Sequence, residues 1–149
     1  MIRGIILDMD GTFIDSNDSH ALAFEKALRE KGYSIPFEKI RPLIGMGGKI
    51  LLSQLLGLQE GSPVIKEVSK RHGEIFKKEF FPQIKTFPKG RELVQAMKRQ
   101  GLKLVVGTSA QESELKDLLK IAGIKDLIDG SPPPMWKKQS LNRTSFNAP

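Results

Sequence analysis

Two carboxylates one residue apart, Asp8 and Asp10, followed by Gly11 and Thr12, are the side chains of this sequence best suited to chemistry. They come directly after the apolar run Ile2-Arg3-Gly4-Ile5-Ile6-Leu7, which reads as a short buried strand. A strand ending there presents both acids at its C-terminal tip. Gly11 then lets the backbone turn sharply and come close to a ligand. Asp8 is the candidate nucleophile, because a carboxylate can attack phosphorus and split one hard displacement into two easier ones. Asp10 would protonate the leaving alkoxide and later activate water. Asp8 and Asp10 are both expected to hold Mg²⁺, Asp10 through its backbone carbonyl; the ion takes oxygen ligands and offsets the repulsion between Asp8 and a phosphate dianion. Gly11 and Thr12 are assigned to phosphate binding. The competing reading, an acidic turn with solvated carboxylates, explains neither the preceding strand nor the Gly-Thr that follows.

A second apolar run, Lys103-Leu104-Val105-Val106-Gly107, leads into Thr108-Ser109-Ala110 in the same manner. Hydroxyls and free backbone N–H groups where a strand hands over to a helix make an anion cradle. Thr108 is the candidate phosphate hydroxyl, with the Ser109 amide beside it. Ser109 as a plain helix cap is the alternative.

The elements that must position these groups follow from hydrophobic spacing. Leu22, Phe24, Ala27 and Leu28 mark an amphipathic helix that Gly32 stops. Further helices are expected from Pro36 to Leu43, Lys49 to Leu56 and Pro63 to Phe80. Gly90 to Gln100 is expected to be helical on a stripe of Leu93, Val94 and Met97, and Glu112 to Ala122 forms another helix closed by Gly123. Leu127-Ile128-Asp129 begins a possible third strand. The fold class is therefore α/β, a partial core formed by residues 1–15 and 85–130, interrupted by an all-helical insertion over 16–84. Residues 131–149, with Pro132-Pro133-Pro134 and a polar run, show neither period and are expected to be unfolded.

The chain has 149 residues, no cysteine and a formal net charge of +7. A disulfide framework and a thiolate metal site are thereby excluded. Lys and Arg are spread over helical faces and alternate with Glu, which argues for solvated surfaces and against a nucleic-acid partner. No run is long enough to cross a bilayer and no signal peptide is apparent, so a cytoplasmic location without a membrane partner is expected.

Asp8-Met9-Asp10-Gly11-Thr12-Phe13-Ile14-Asp15-Ser16, His20, Gly45-Met46-Gly47-Gly48 and Leu104-Val105-Val106-Gly107-Thr108-Ser109 together resemble the haloacid dehalogenase superfamily, in the branch of β-phosphoglucomutase and phosphoglycolate phosphatase. The resemblance covers about Met1 to Gly130. It implies a Rossmann-like core, a helical cap that closes over the site, Mg²⁺, an aspartyl-phosphate intermediate and a small phosphorylated metabolite as substrate. Gly45 to Gly48 leading into Lys49 matches the family's substrate-specificity loop, and Lys49 could reach a phosphate as a point charge. A solvent-facing Lys49 in a helix–helix turn is the alternative. His20 could contact substrate or gate the hinge, or be a half-buried histidine at a helix start.

The family also uses a later lysine and an acidic pair. After Gly130 the sequence has no Asp or Glu, and no periodic pattern positions Lys137 or Lys138. Reading the codons of Met135-Trp136-Lys137 one base earlier forces Val and Glu, and the following codons permit Lys-Thr-Lys-Pro-x-Pro-Asp-Ile-Phe. A shift of frame near Ser131 is therefore expected, leaving a C-terminally truncated form whose Asp8 site binds Mg²⁺ and phosphate weakly. A sugar-phosphate mutase and an inactive product or binding module are the alternative functions. Oligomeric state is open.

Overall fold

The computed structural model describes residues 1–108, 110 and 112–130. Ser109 and residues 131–149, with the expectations attached to them, lie outside the described residues. The chain divides into two compact units. Met1–Met9 and the described residues from Pro88 to Gly130 form one, and Asp10–Phe87 forms the other.

The first unit is built on two parallel strands, β1 (Gly4–Leu7) and, further along the chain, β4 (Lys103–Val106), with Gly4 opposite Lys103 and Leu7 opposite Val106. A parallel pair needs a crossover, which here includes helix α5 (Gly90–Arg99). Helix α6 (Glu112–Ile121) follows β4. Leu7, Val94, Leu104, Val106, Leu118 and Ile124 are buried. Ile6 is 71% exposed and Ile2 75%, so the expected buried strand is buried at its tip only; among the described residues one face of β1 is uncovered. Leu93, expected on the inward stripe of α5, is likewise exposed.

The expected strand at Leu127 does not start there. Lys125–Leu127 forms a 3₁₀ turn, closed by the Leu127 amide on the Ile124 carbonyl. Arg91 holds this turn by donating to the Gly123 carbonyl and to both Asp126 oxygens. Pairing begins at Asp129, whose amide donates to the Leu104 carbonyl at 2.8 Å, and continues at Gly130, bridged in parallel to Val105.

The second unit holds helices α1 (Asn17–Glu30), α2 (Phe37–Ile40), α3 (Gly48–Leu56) and α4 (Pro63–Ile75). Its core contains Ala21, Phe24, Leu28, Ile40, Leu51, Leu52, Ile65 and Val68. Helix α4 starts on a capped turn, the Ser62 hydroxyl accepting from the Ile65 amide, with Pro63 in its first turn. The helix expected to run to Phe80 changes after Ile75. Phe76–Phe80 forms a wider π turn, closed by the Phe81 amide on the Phe76 carbonyl, and Phe81–Gln83 a 3₁₀ turn. This change of pitch brings Phe76, Phe80 and Phe81 onto one core, and Pro82 could not have continued an α-helical ladder. Arg71 pairs with Glu30 and Lys31 with Glu67 between α4 and α1. Such exposed pairs contribute about 0–1 kcal/mol each; burial of the apolar faces carries the packing.

A short antiparallel ribbon also belongs to this unit. Strand β2 (Ile14–Asp15) pairs with β3 (Lys85–Thr86), and the Phe87 amide donates to the Phe13 carbonyl at 3.1 Å. Residues 16 and 84, the ends expected for the helical insertion, thus fall inside Asp10–Phe87, and the ribbon goes with the helices. Two-residue strands carry no periodic signal, so this pairing was not readable from spacing.

Candidate active site

The candidate residues fall in both units. In the first, Asp8 follows Leu7 at the C-terminal end of β1 and is exposed. The neighbouring strand β4 ends at Val106, and Gly107 donates its amide to the Leu7 carbonyl at 2.9 Å. A Cβ at Gly107 would stand 2.8 Å from Cγ2 of Ile6, so glycine permits this close approach of the strand ends. Thr108 comes next, half-buried, its Oγ1 accepting from the Ala110 amide at 3.1 Å. Accepting there leaves the hydroxyl hydrogen available for an anion. Asp8 and Thr108 therefore lie at the same carboxyl edge of two adjacent parallel strands, the position where ligands bind in open α/β sheets.

In the second unit the turn after Asp10 is fixed by Gly11, whose φ is +76° and whose amide donates to the Ile14 carbonyl at 2.8 Å. Thr12 is exposed on this turn. The chain then enters α1, which carries Ser16 at its cap position and His20 in its first turn. Ser16 is fully buried and donates its hydroxyl to Asp10 Oδ1 at 2.5 Å. His20 Nε2 lies 3.5 Å from the same oxygen. Burial by itself would raise the Asp10 pKa, but the hydrogen bonds from His20 and Ser16 outweigh it and hold the carboxyl below its usual range. Asp10 is thus ionised near neutral pH.

His20 also meets α4. Its Nδ1 is 3.3 Å from Nε2 of His72. The His20 ring stacks on Phe76 with centroids 3.9 Å apart, and His72 stacks on Phe24 at 3.7 Å. Burial, and then the neighbouring His20, push the His72 pKa down to about 3, so His72 is neutral at physiological pH. Phe24 in turn faces the glycine loop: a Cβ at Gly48 would be 3.0 Å from its Cζ. Gly45 and Gly47 have positive φ. Lys49, next along, is exposed and has no hydrogen bond to Asp10, Ser16 or His20. The structure thus joins Asp10 and His20, which the sequence reading named separately, and leaves Lys49 apart from them. Ser16 and His72 are partners that reading did not assign. A polar residue just before α1 was a signal for Ser16; His72 gave none.

The Mg²⁺ expected at Asp8 and Asp10 fits the donor chemistry. The Asp8 carboxylate and the Asp10 backbone carbonyl both offer hard oxygen atoms, and Mg²⁺ is commonly held by one or two carboxylates together with substrate phosphate and water. Among the described residues no group of three His, Cys, Asp or Glu side chains is placed to enclose a metal ion. No helix among them is long and apolar enough to cross a membrane.

Comparison with known proteins gives the family and the fold. The model of the haloacid dehalogenase-like hydrolases matches residues 5–130. The chain belongs to that family, and its fold is the α/β, Rossmann-like one of the family core. A phosphoglycolate phosphatase from Aquifex aeolicus is 31% identical over 137 residues, covering 87% of this chain and 61% of the relative. A Dickeya dadantii protein named "Probable phosphatase IndB" is 32% identical over 130 residues, covering 84% and 56%. The crystal structure of a hydrolase from Pseudomonas syringae superposes with a TM-score of 0.75 at 23% identity, covering 87% of this chain and 60% of that one. The chain thus spans about three-fifths of the length of the relatives it matches.

Proposed function

We propose that this chain carries the nucleophile, the acid–base residue and the phosphate cradle of a Mg²⁺-dependent phosphatase that acts on a small phosphorylated metabolite. The observation that carries the reading is the placement of Asp8 and Thr108 at one edge of β1 and β4, next to each other in the sheet. Two relatives that are named as phosphatases support the same reading.

Asp8 attacks phosphorus and the leaving oxygen departs on the opposite side, giving an aspartyl phosphate. Thr108 donates its hydroxyl to a non-bridging phosphate oxygen, with Gly11 and Thr12 offering backbone approach. Asp10, ionised, accepts a proton from the water that hydrolyses the aspartyl phosphate, and returns it to a leaving alkoxide in the next turnover. His20 orients that carboxylate, and Ser16 donates to the same oxygen. Bound at Asp8 and Asp10, Mg²⁺ would neutralise charge between the carboxylate and the phosphate dianion. Residues 16–84 act as the helical cap over the substrate, with Lys49 at its specificity loop as a phosphate contact.

Phosphate release by the purified chain from p-nitrophenyl phosphate and from 2-phosphoglycolate, with Mg²⁺, tests the reading. Release that disappears in Asp8→Asn is the expected result. Equal release by both proteins, or none from wild type at millimolar substrate, overturns it.

A further inference from the structure

His72 lies outside every motif that defines the candidate site, yet it touches the chain of contacts that ends at Asp10. His20 stands between two partners. Its Nε2 faces the Asp10 carboxylate at 3.5 Å and its Nδ1 faces His72 Nε2 at 3.3 Å. A carboxylate can only accept, so the nitrogen facing Asp10 must carry the proton. In a neutral ring the other nitrogen is then a bare acceptor, and the group facing it must be a donor. His72, turned so that its Nε2 points at His20, is able to supply that donor.

We propose that His72 is a positioning residue: the N–H of its Nε2, directed at His20 Nδ1, fixes the His20 tautomer that presents an N–H to Asp10. The other His20 tautomer would set a lone pair against the carboxylate and two N–H groups against each other. The tautomer of a histidine is set by the hydrogen bond its second nitrogen makes.

The surroundings hold both rings in the orientation this needs. His72 lies nearly parallel to Phe24, at 12°, and His20 nearly parallel to Phe76, at 9°. The four rings alternate, two from α1 and two from α4 and its continuing turn, so the contact depends on the packing of these two helices. His72 is half-buried and neutral, so its ring holds one N–H and one bare nitrogen and no mobile charge. A benzyl group at this position would keep the stack on Phe24 and lose only the nitrogen. The consequence for turnover rests on the acid–base role proposed for Asp10. The tautomer assignment does not.

The test uses the full chain labelled with ¹⁵N. Long-range ¹H–¹⁵N correlation spectra at pH 7.5 report which nitrogen of His20 is protonated, whether or not the protein turns over substrate. In wild type, protonated Nε2 and bare Nδ1 are expected. His72→Phe is expected to shift His20 toward a mixture of tautomers. His72→Gln, whose amide reaches the place of Nε2, is expected to restore the wild-type signature, while the shorter His72→Asn is not. Phosphate release should follow, with kcat lowered about 10-fold in His72→Phe and KM nearly unchanged. A His20 signature unchanged in both His72→Phe and His72→Asn overturns the proposal, as does a His72→Gln signature no closer to wild type than that of His72→Phe, or a wild-type His20 protonated at Nδ1. Should His72→Phe fail to fold, the Gln and Asn pair decides alone. A shifted signature with no turnover by any variant or wild type defeats the phosphatase reading and leaves the role of His72 standing.

Discussion

Ser16 and Asp10 are joined by a hydrogen bond of 2.5 Å in which the hydroxyl of a fully buried serine donates to a partly exposed carboxylate. The bond closes the turn between the acid motif and the first helix, so it orients the candidate acid–base group and ties it to α1. It also favours the ionised form of Asp10 over the protonated one.

Replacing Ser16 by alanine is expected to raise the Asp10 pKa and to cost about 1–3 kcal/mol of stability at neutral pH. The sign follows from linkage. The Asp10 pKa is lowered on folding from 3.8, so its stabilisation is present above that value and fades as pH falls through the folded pKa. The difference between wild type and Ser16→Ala in urea unfolding should therefore be largest above pH 4 and shrink below it. A carboxyl NMR titration of Asp10 measures the shift directly.

His72 gives a second pH dependence with the same sign and a different window. Its pKa falls from 6.5 to about 3 on folding, so the folded state resists protonation that the unfolded chain accepts. Stability is fully present above pH 6.5 and declines as pH drops toward 3. His72→Phe removes this group, and its urea midpoint is expected to fall less between pH 6.5 and pH 4 than that of wild type.

Gly11 and Gly32 offer a matched pair of substitutions. Both have positive φ, +76° and +83°, so alanine at either position costs about 1–2 kcal/mol of backbone strain. A Cβ at Gly11 would also stand 2.4 Å from Nδ2 of Asn17, whereas one at Gly32 would meet nothing within 4 Å. Gly11→Ala is expected to be the more destabilising in thermal unfolding, by the cost of displacing the Asn17 amide.

Thr108→Val should weaken inhibition by inorganic phosphate about 10-fold, the loss of one hydrogen bond to a charged group. Thr108→Ser keeps the hydroxyl and should bind phosphate close to the wild-type level. The ratio of the two inhibition constants is the readout.

The strand–acid–turn order around Asp8 and the strand–glycine–threonine order around Thr108 were legible because each is contiguous: an apolar run, then polar residues that end it. The helices of the insertion were legible from the spacing of residues such as Phe24 and Leu28. Three kinds of feature were not. The 3₁₀ turn at Lys125–Leu127 is held by Arg91, more than thirty residues away, and no local pattern reports that pairing. The ribbon of Ile14–Asp15 with Lys85–Thr86 is too short to carry a period. His72 stands 52 residues from His20 and lies on a helix face that reads equally well as ordinary core packing. Distance along the chain, more than chemical ambiguity, hid the partner of His20.

The ribbon has an engineering corollary. Because Phe13 and Phe87 are hydrogen-bonded to each other, the helical segment leaves the chain and rejoins it at a single point. Excising the helices between Asp15 and Lys85 and bridging the gap with a tight turn asks for no rearrangement of β2 and β3. The same stem would accept the corresponding segment from a relative, so chimaeras with exchanged helices can be cut at fixed positions.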